Sequence, residues 1–367
     1  PSRAHHARPN SLDLLQYFSL SRFKLKEFAE PYELSGIGET TLNVKLVRAV
    51  GLMIAASVPL VANNNAEAAE GGSGFYMLGS KGPAAAILPP LPGLYLQNDL
   101  YIYSGGLGGS RGLPLGGRTV ADIDATAVIN VPTAIWVTPA DIAGGSLAFS
   151  LSLPFGQKDM EAGLEVINPV TGATISRSRQ EDRFSFGDPV VSGMIGWNSG
   201  NWHWQTGVMV NVPIGDYKDG SLSNISFNRW AADLNAAVTW LDPTTGLDVS
   251  VASGFTFNGE NSATDYKTGT EFHVEWAISQ NFSKQFSAGV IGYYYDQITG
   301  DSGAGARLGD YKGRVAAIGA TVGYNFEMGP MPVSTRLKYF HEFAAENRAE
   351  GDAVFLTVAI PLAVPGH

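Results

Sequence analysis

The sequence contains no cysteine, which excludes disulfide bonds and thiolate metal sites. It is also poor in charge, because Asp, Glu, Lys and Arg make up only 16% of its 367 residues, against roughly 25% in an average soluble domain. After residue 62 it has no apolar run of about 20 residues, the length of a membrane-spanning helix. Helical spans are therefore excluded in that part. The net charge of −10, with no stripe of basic residues, argues against nucleic acid as a partner.

The N-terminal region contains an export signal. An apolar run over residues 49–62 follows Lys45 and Arg48, and an Ala-rich stretch follows the run. A basic start, a short apolar middle and small residues at the exit are typical of a signal peptide, which we place at residues 45–69. A buried helix is the alternative, but the Asn-rich and Gly-rich stretches after the run disfavour it. Residues 1–44 are interpreted as an upstream, non-structural segment.

From residue 93 onward, apolar and polar residues alternate with a period of two, the spacing of a strand with two different faces. In residues 271–279, Phe272 and Trp276 share one face with other apolar residues, and Glu271 and Glu275 share the opposite face with polar ones. Such segments place charge in the middle of a strand, opposite an unbroken apolar face. The pattern predicts an all-β protein.

The connections between the predicted strands alternate between short and long. Outer-membrane β-barrels have short periplasmic turns and longer extracellular loops, whereas a soluble β-sandwich gives no reason for this pattern. Residues 93–363 are therefore predicted to form a transmembrane, antiparallel, up-and-down β-barrel of about twelve strands. Residues 156–185 form a long excursion in this scheme, and if residues 170–179 within it pair as a further hairpin, the count becomes fourteen.

Residues 70–92 precede the first strand and include the proline-rich stretch PAAAILPPLP. Four prolines in an apolar stretch rule out a regular helix or a central strand. Two interpretations remain for this segment: a plug folded into the barrel lumen, or a periplasmic lead-in that positions strand one.

No catalytic, metal or cofactor site is predicted. The histidines His203, His273 and His341 have no metal-ligand spacing and no recognisable nucleophile beside them. The glycine-rich stretches 105–112 and 303–309 match neither the Walker loop nor the dinucleotide-binding loop, and they lie between predicted strands rather than between a strand and a helix.

The remaining candidates are polar residues that the alternation assigns to the inner face of the barrel. In a twelve-stranded barrel such side chains can pair across the lumen or contact a solute. Because unpaired buried charges are costly, Arg336 and Lys338 are expected to lie near the acidic residues. The lumen-lining or solute-contact candidates are Asp122, Asp124, Asp233, Glu271, His273, Glu275, Arg336 and Lys338.

Four segments carry a family resemblance: LPGLYLQNDLYIY (91–103), WHWQTGVMVNVPIGDY (202–217), YYYDQITGDSGAGARLGDYKGRV (293–315) and EGDAVFLTVAIPL (350–362). Together they resemble the outer-membrane family named after the meta-pathway of phenol degradation, over essentially the whole chain from residue 71 to residue 362. The resemblance implies a β-barrel in the outer membrane of a Gram-negative cell, in contact with outer-membrane lipid. It also implies assistance to the uptake of phenolic or other hydrophobic compounds.

The leading functional hypothesis is an outer-membrane channel for small hydrophobic or aromatic, phenol-like compounds, and not an enzyme. A non-transporting structural or adhesive barrel is the second hypothesis, which a crowded lumen would favour. The third is a membrane-embedded hydrolase, which would need a His, Ser and acid cluster near one rim.

Overall fold

The computed structural model of the chain describes residues 70–364, except 116–117, 168–173 and 307–311. The predicted signal peptide 45–69 and the upstream segment 1–44 lie outside the described residues. No helix formed by the described residues is long and apolar enough to cross a membrane. These residues form a 3-10 turn (Glu70–Gly72) and the strands β1 (Gly93–Leu115), β2 (Arg118–Ile142), β3 (Gly145–Ser152), β4 (Phe155–Ile167), β5 (Thr174–Phe186), β6 (Val190–Ser199), β7 (Trp202–Asn211), β8 (Ala231–Leu241), β9 (Leu247–Asn258), β10 (Glu260–Asn261), β11 (Tyr266–Lys267), β12 (Glu271–Asn281), β13 (Phe286–Gln297), β14 (Arg314–Met328), β15 (Met331–Glu346) and β16 (Glu350–Ala363).

Twelve strands close into an antiparallel barrel. The ring runs β1, β16, β15, β14, β13, β12, β9, β8, β7, β6, β3, β2, and it closes because β2 pairs back to β1. Strands β10 and β11 form a separate small hairpin in the loop after β9. A sheet can lie in hydrocarbon only when its edges pair with each other, which closure achieves. The prediction of a twelve-stranded, antiparallel β-barrel is confirmed.

The barrel buries polar residues and exposes apolar ones, the reverse of a soluble protein. On β12, Glu271, His273 and Glu275 are each 3% exposed or less. On the outer surface of β8, Leu234 and Val238 are 53% and 44% exposed. Lipid is the solvent that favours such a surface. The predicted alternation of residues 271–279 is therefore confirmed, with its charged face in the lumen.

The two ends of the barrel differ. The short-turn end carries tight connections such as 200–201 and 242–246, together with the start of β1 and the end of β16, whereas the long-loop end carries the loops 212–230 and 298–313. In one short turn, the N–H of Thr244 donates to Asp242 at 2.9 Å, and this hydrogen bond lowers the pKa of the Asp242 carboxyl. In outer-membrane barrels, short turns face the periplasm and long loops face the exterior.

A hairpin formed by β4 and β5 extends the wall at the long-loop end. Strand β2 pairs with β3 over residues 133–142 and with β4 over residues 121–130. The break between β3 and β4 falls at Pro154, and the break between β5 and β6 ends at Pro189. Proline has no N–H for the ladder, so it interrupts a strand. This hairpin is the one considered in the fourteen-strand alternative, and it lengthens the wall without adding to the closed ring.

Aromatic residues lie on the outer surface near the strand ends. Trp136 and Trp202 at the short-turn end are 52% and 49% exposed, and Trp230 at the long-loop end is 59% exposed. Such positions are typical of the aromatic girdles at membrane interfaces. The run of tyrosines 293–295 on β13 is different, because Tyr293 and Tyr295 are buried. Alternation sends them into the lumen.

Candidate functional site: the lumen and the N-terminal segment

Residues 70–92, here called the N-terminal segment, pass through the lumen from the long-loop end to the short-turn end, where β1 begins. The hydrogen bonds that its N–H groups donate to the wall are, in chain order, Glu70 N–H to Thr268 Oγ1 (3.4 Å), Gly79 N–H to Glu275 Oε1 (3.1 Å), Lys81 N–H to Glu275 Oε2 (3.1 Å), Ala84 N–H to Asp248 Oδ2 (2.9 Å) and Ala86 N–H to Thr239 Oγ1 (3.1 Å). The segment has little regular structure to satisfy its own backbone. Polar side chains of the lumen supply the partners.

Glu275 and Lys338 hold one turn of this segment, residues 79–81, from opposite sides. The two carboxylate oxygens of Glu275 accept the N–H groups of Gly79 and Lys81, each at 3.1 Å. The ammonium of Lys338 donates to three carbonyl oxygens of the same turn. We call this pair the Glu275–Lys338 clamp. Hydrogen bonds to charged groups are among the stronger ones in proteins, so the clamp fixes the segment at mid-lumen.

Next to the clamp, the ring of Tyr76 stacks on His273, with centroids 3.5 Å apart. His273 Nε2 lies 2.9 Å from Asp233, and Thr256 donates to the same carboxylate at 2.7 Å. The hydroxyl of Thr256 therefore donates to the carboxylate of Asp233 and not to the imidazole of His273. In a catalytic triad, the nucleophilic hydroxyl would bond to the imidazole that acts as its base. The part of the chain that the structure describes holds no cluster of three or more His, Asp or Glu residues suited to a metal ion.

Glu271 and Arg336, two other predicted lumen residues, bond to the wall. Glu271 accepts from Tyr295 at 2.6 Å and from Asn258 at 3.1 Å. Arg336 donates to Thr321 at 3.2 Å, and no carboxylate of a described residue lies within 4.0 Å of its guanidinium. Lys338 and Glu275 thus bind the same turn of the segment, and neither Lys338 nor Arg336 forms an ion pair with a described carboxylate.

The inner and outer faces of β2 are the reverse of the predicted ones. Asp124 is exposed, while its neighbours Ile123 and Ala125 line the lumen. Counted from Ile142 at the short-turn end, Asp124 lies well beyond the roughly 9–11 residues that a strand needs to cross hydrocarbon. Its outer face there meets water, so a carboxylate can lie on it. The side chain of Asp122 lies outside the described residues.

An internal cavity of about 1010 Å³ lies between the N-terminal segment and the wall formed by β1 to β7. Met160 of β4 and Met209 of β7 contribute to its surface, and Leu88 contributes from the segment. The inner face of β2 gives the cavity a continuous apolar wall, and the N-terminal segment adds apolar residues such as Phe75 and Ile87; the β2 residues are Ile123, Ala125, Ala127, Ile129, Val131 and Ile135. Apolar cavities with a few polar groups are the usual form of small-molecule sites.

A tyrosine cluster borders the cavity beside β1. Glu342 accepts hydrogen bonds from Tyr293 at 2.8 Å and from Tyr103 at 2.9 Å. The guanidinium carbon of Arg348 lies 4.6 Å from the ring centre of Tyr295. This cluster was not predicted from the sequence. Period two around Tyr103 and Glu342 could have placed them inside, but not beside each other, because pairing partners depend on barrel register.

Asp188, also missed, joins the loop 212–230 to the wall at the break between β5 and β6. Its carboxylate is 2% exposed and accepts five hydrogen bonds, from Asn211 Nδ2 (3.0 Å), Gly215 N–H (2.9 Å), Ser226 Oγ (2.7 Å), Phe227 N–H (2.8 Å) and Asn228 N–H (3.2 Å). The loop therefore covers part of the lumen at the long-loop end. A single Asp between glycine and proline gives no sequence signal for such a role.

Comparison with known proteins gives a family and a fold. Residues 109–358 match the family model described as "Putative MetA-pathway of phenol degradation". The COG4313 outer membrane channel from Pseudomonas putida F1 is similar in structure, with a TM-score of 0.60 and 15% identity over 76% of this chain and 99% of that chain. A FadL homologue from Pseudomonas aeruginosa has a TM-score of 0.38 and 10% identity, over 76% of this chain and 92% of that one. No curated protein matches.

The family match covers more than half of the chain and agrees with the closed ring of twelve strands and its apolar outer surface. The chain belongs to the family of the putative MetA-pathway of phenol degradation, and it is a β-barrel of the outer membrane.

Proposed function

We propose that this barrel is a channel for small hydrophobic or aromatic compounds, and that these compounds bind in the lumen cavity on their way across the outer membrane. The observation that carries the proposal is the apolar inner face of β2, which borders a cavity of about 1010 Å³. A volume of this size is in the upper range of small-molecule pockets. A channel for ions and sugars would instead present polar groups along its path.

The N-terminal segment acts as a plug that narrows the channel. It lies against β8, β9, β12 and β15 through the hydrogen bonds of Thr239, Asp248, Glu275 and Lys338. The other half of the lumen stays open. Solutes pass along this half, beside β2 and not through the charged clamp.

Most predicted solute-contact residues have a different role in this proposal. Glu275 and Lys338 hold the plug directly, and His273 supports it through Tyr76. Asp233 positions His273, and Glu271 is bonded to the wall. These residues shape the channel by fixing the plug, and the solute contacts the apolar wall.

The test narrows the cavity without touching the plug. Ile129→Trp places a large ring on the lumen face of β2, and the matched control Val128→Trp places it on the opposite face, where Val128 is 45% exposed. Protein purified from outer membranes is reconstituted in planar bilayers and liposomes. We expect conductance and solute-dependent swelling for the unmodified protein and for Val128→Trp, and a severalfold reduction for Ile129→Trp.

The unmodified protein decides the class of function. If it shows neither conductance nor solute-dependent swelling after folding is verified by a mobility shift between unboiled and boiled samples, the channel proposal fails. The crowded lumen would then support a structural or adhesive barrel. Equal flux through both tryptophan variants would show that solutes do not use the cavity beside β2.

A further inference from the structure

Lys158 lies at the outer end of the lumen cavity, on the inner face of β4. It borders both the cavity of about 1010 Å³ and a second cavity of about 40 Å³ near the long loops. Lys158 is therefore accessible to a solute at the junction of the two cavities. The position combines an ammonium with the apolar surface of β2.

The ammonium of Lys158 has few partners. Within the described part of the chain, its one hydrogen bond goes to the carbonyl oxygen of Asn224, at 3.4 Å, although an ammonium has three N–H donors. Among the described residues, no carboxylate lies within 4.0 Å of it. Lys338 is different, since it donates to three carbonyl oxygens. The charge of Lys158 is therefore available to a ligand.

The neighbours of Lys158 add positive charge and apolar surface. Arg183 lies directly opposite it in the register of β4 and β5, and Asp216 pairs with that guanidinium at 2.7 Å. On the other side Lys158 is paired with Ala127 of β2, and Met160 follows on the same face of β4. Asp216 therefore pairs with Arg183 and not with Lys158, which lies at the edge of an apolar wall.

The acidic residues of the cavity are occupied elsewhere. The carboxylate of Asp188 accepts five hydrogen bonds from the loop 212–230 and β7, and that of Glu342 accepts from two tyrosines. The third acid of the cavity, Asp99, accepts from Gln97 and Thr357. A lysine at a rim commonly extends into water. Lys158 instead donates a hydrogen bond to Asn224, a residue of the loop 212–230 that covers part of the lumen.

We propose that Lys158 binds the carboxylate of a small organic acid whose aromatic or aliphatic body lies along the β2 wall. The inference rests on the proposed channel function and narrows its solutes to amphipathic monocarboxylates. A carboxylate fills the open donor positions of the ammonium with charge-assisted hydrogen bonds. The apolar body replaces water on Ile123 and Ala127, which no polar anion would do.

The test compares two probes of similar shape, benzoate and benzyl alcohol, on protein purified in detergent. Affinities are measured by ligand-observed NMR for the unmodified protein, for Lys158→Gln and for the control Lys284→Gln, which changes an exposed lysine of a short turn. We expect benzoate to bind at least about tenfold more weakly to Lys158→Gln, as the loss of one charge-assisted contact implies. Lys284→Gln is expected to leave both affinities unchanged, and benzyl alcohol to bind all three proteins equally.

The outcomes separate this inference from the channel proposal. Equal affinity of benzoate for Lys158→Gln and the unmodified protein overturns the carboxylate site, while flux of neutral solutes would leave the channel intact. Absence of binding and of flux for every probe refutes both. If Lys158→Gln fails to fold, chloride competition on the unmodified protein tests the carboxylate site. Rising salt must then weaken the binding of benzoate and leave the binding of benzyl alcohol unchanged. Lys158→Arg, which keeps the charge, is expected to retain most of the benzoate affinity.

Discussion

The Glu275–Lys338 clamp allows a quantitative test of how the N-terminal segment is held. Lys338→Met keeps the length of the side chain and removes the ammonium that three carbonyl oxygens share. A hydrogen bond to a charged group contributes about 1.5–3 kcal/mol, but burial of the ammonium opposes this gain. We therefore expect a net loss of about 3 kcal/mol in the docking of the segment, from these two opposing effects. This corresponds to an open population about 100-fold larger.

The absence of cysteine permits a single reporter. Leu78→Cys lies beside the clamp, where Leu78 is 7% exposed and packs in the cluster that contains Phe340 and Phe355. When the segment redocks faster than a soluble maleimide reacts, the labelling rate follows the open population. The rate is expected to rise about 100-fold in Lys338→Met and to stay unchanged in Lys284→Met. A rise below about threefold, or less than 1 kcal/mol, would show that Lys338 does not hold the segment.

Three further predictions concern the long-loop end and the N-terminus. Asp188→Ala removes the acceptor of five hydrogen bonds, so the loop 212–230 should lose at least about 2 kcal/mol of its docking free energy. Tryptic cleavage at Lys218 in this loop should then accelerate by about 30-fold or more. The control Asp219→Ala should leave the cleavage rate unchanged. Burial raises the pKa of Asp301 in the loop 298–313 to about 7. Between about pH 4 and 7 the folded loop therefore binds more protons than the unfolded loop, so its protection from hydrogen exchange should fall as the pH rises through this window. Asp301→Asn should remove this pH dependence. Sequencing of protein from outer membranes should begin near Glu70, and a mature chain that retains residues 12–28 would contradict the export signal.

The strand pattern could be predicted because lipid and lumen impose opposite demands on the two faces of a strand. Residues 271–279 satisfy both demands, and Glu271, His273 and Glu275 lie inside as expected. On β2 this rule applies only to the part of the strand that crosses the hydrocarbon of the membrane. Around Asp124 the strand stands in water on its outer side, so an acid there gives no information about which face points inward.

The path of the N-terminal segment could not be predicted for a different reason. Its prolines exclude regular structure, and an irregular segment has no periodicity from which a contact face can be derived. Its position depends on partners far away in the sequence, such as Glu275 for the N–H of Gly79. The tyrosines around Glu342 pose the same difficulty, because they come together only through the register of distant strands.

The charges of Glu275 and Lys338 hold the N-terminal segment, whereas the inner face of β2 on the opposite border of the cavity is apolar. A buried carboxylate or ammonium needs a partner, and the N–H and C=O groups of an irregular segment supply partners for Glu275 and Lys338. The half of the lumen that this segment leaves open is bordered by β2, whose inner face carries no charge over Ile123 to Ile135. Lys158 lies at the outer end of that wall without an acidic partner within 4.0 Å among the described residues. The same division of the lumen that lets the barrel hold an irregular segment therefore leaves an uncharged β2 wall, with Lys158 at its outer end.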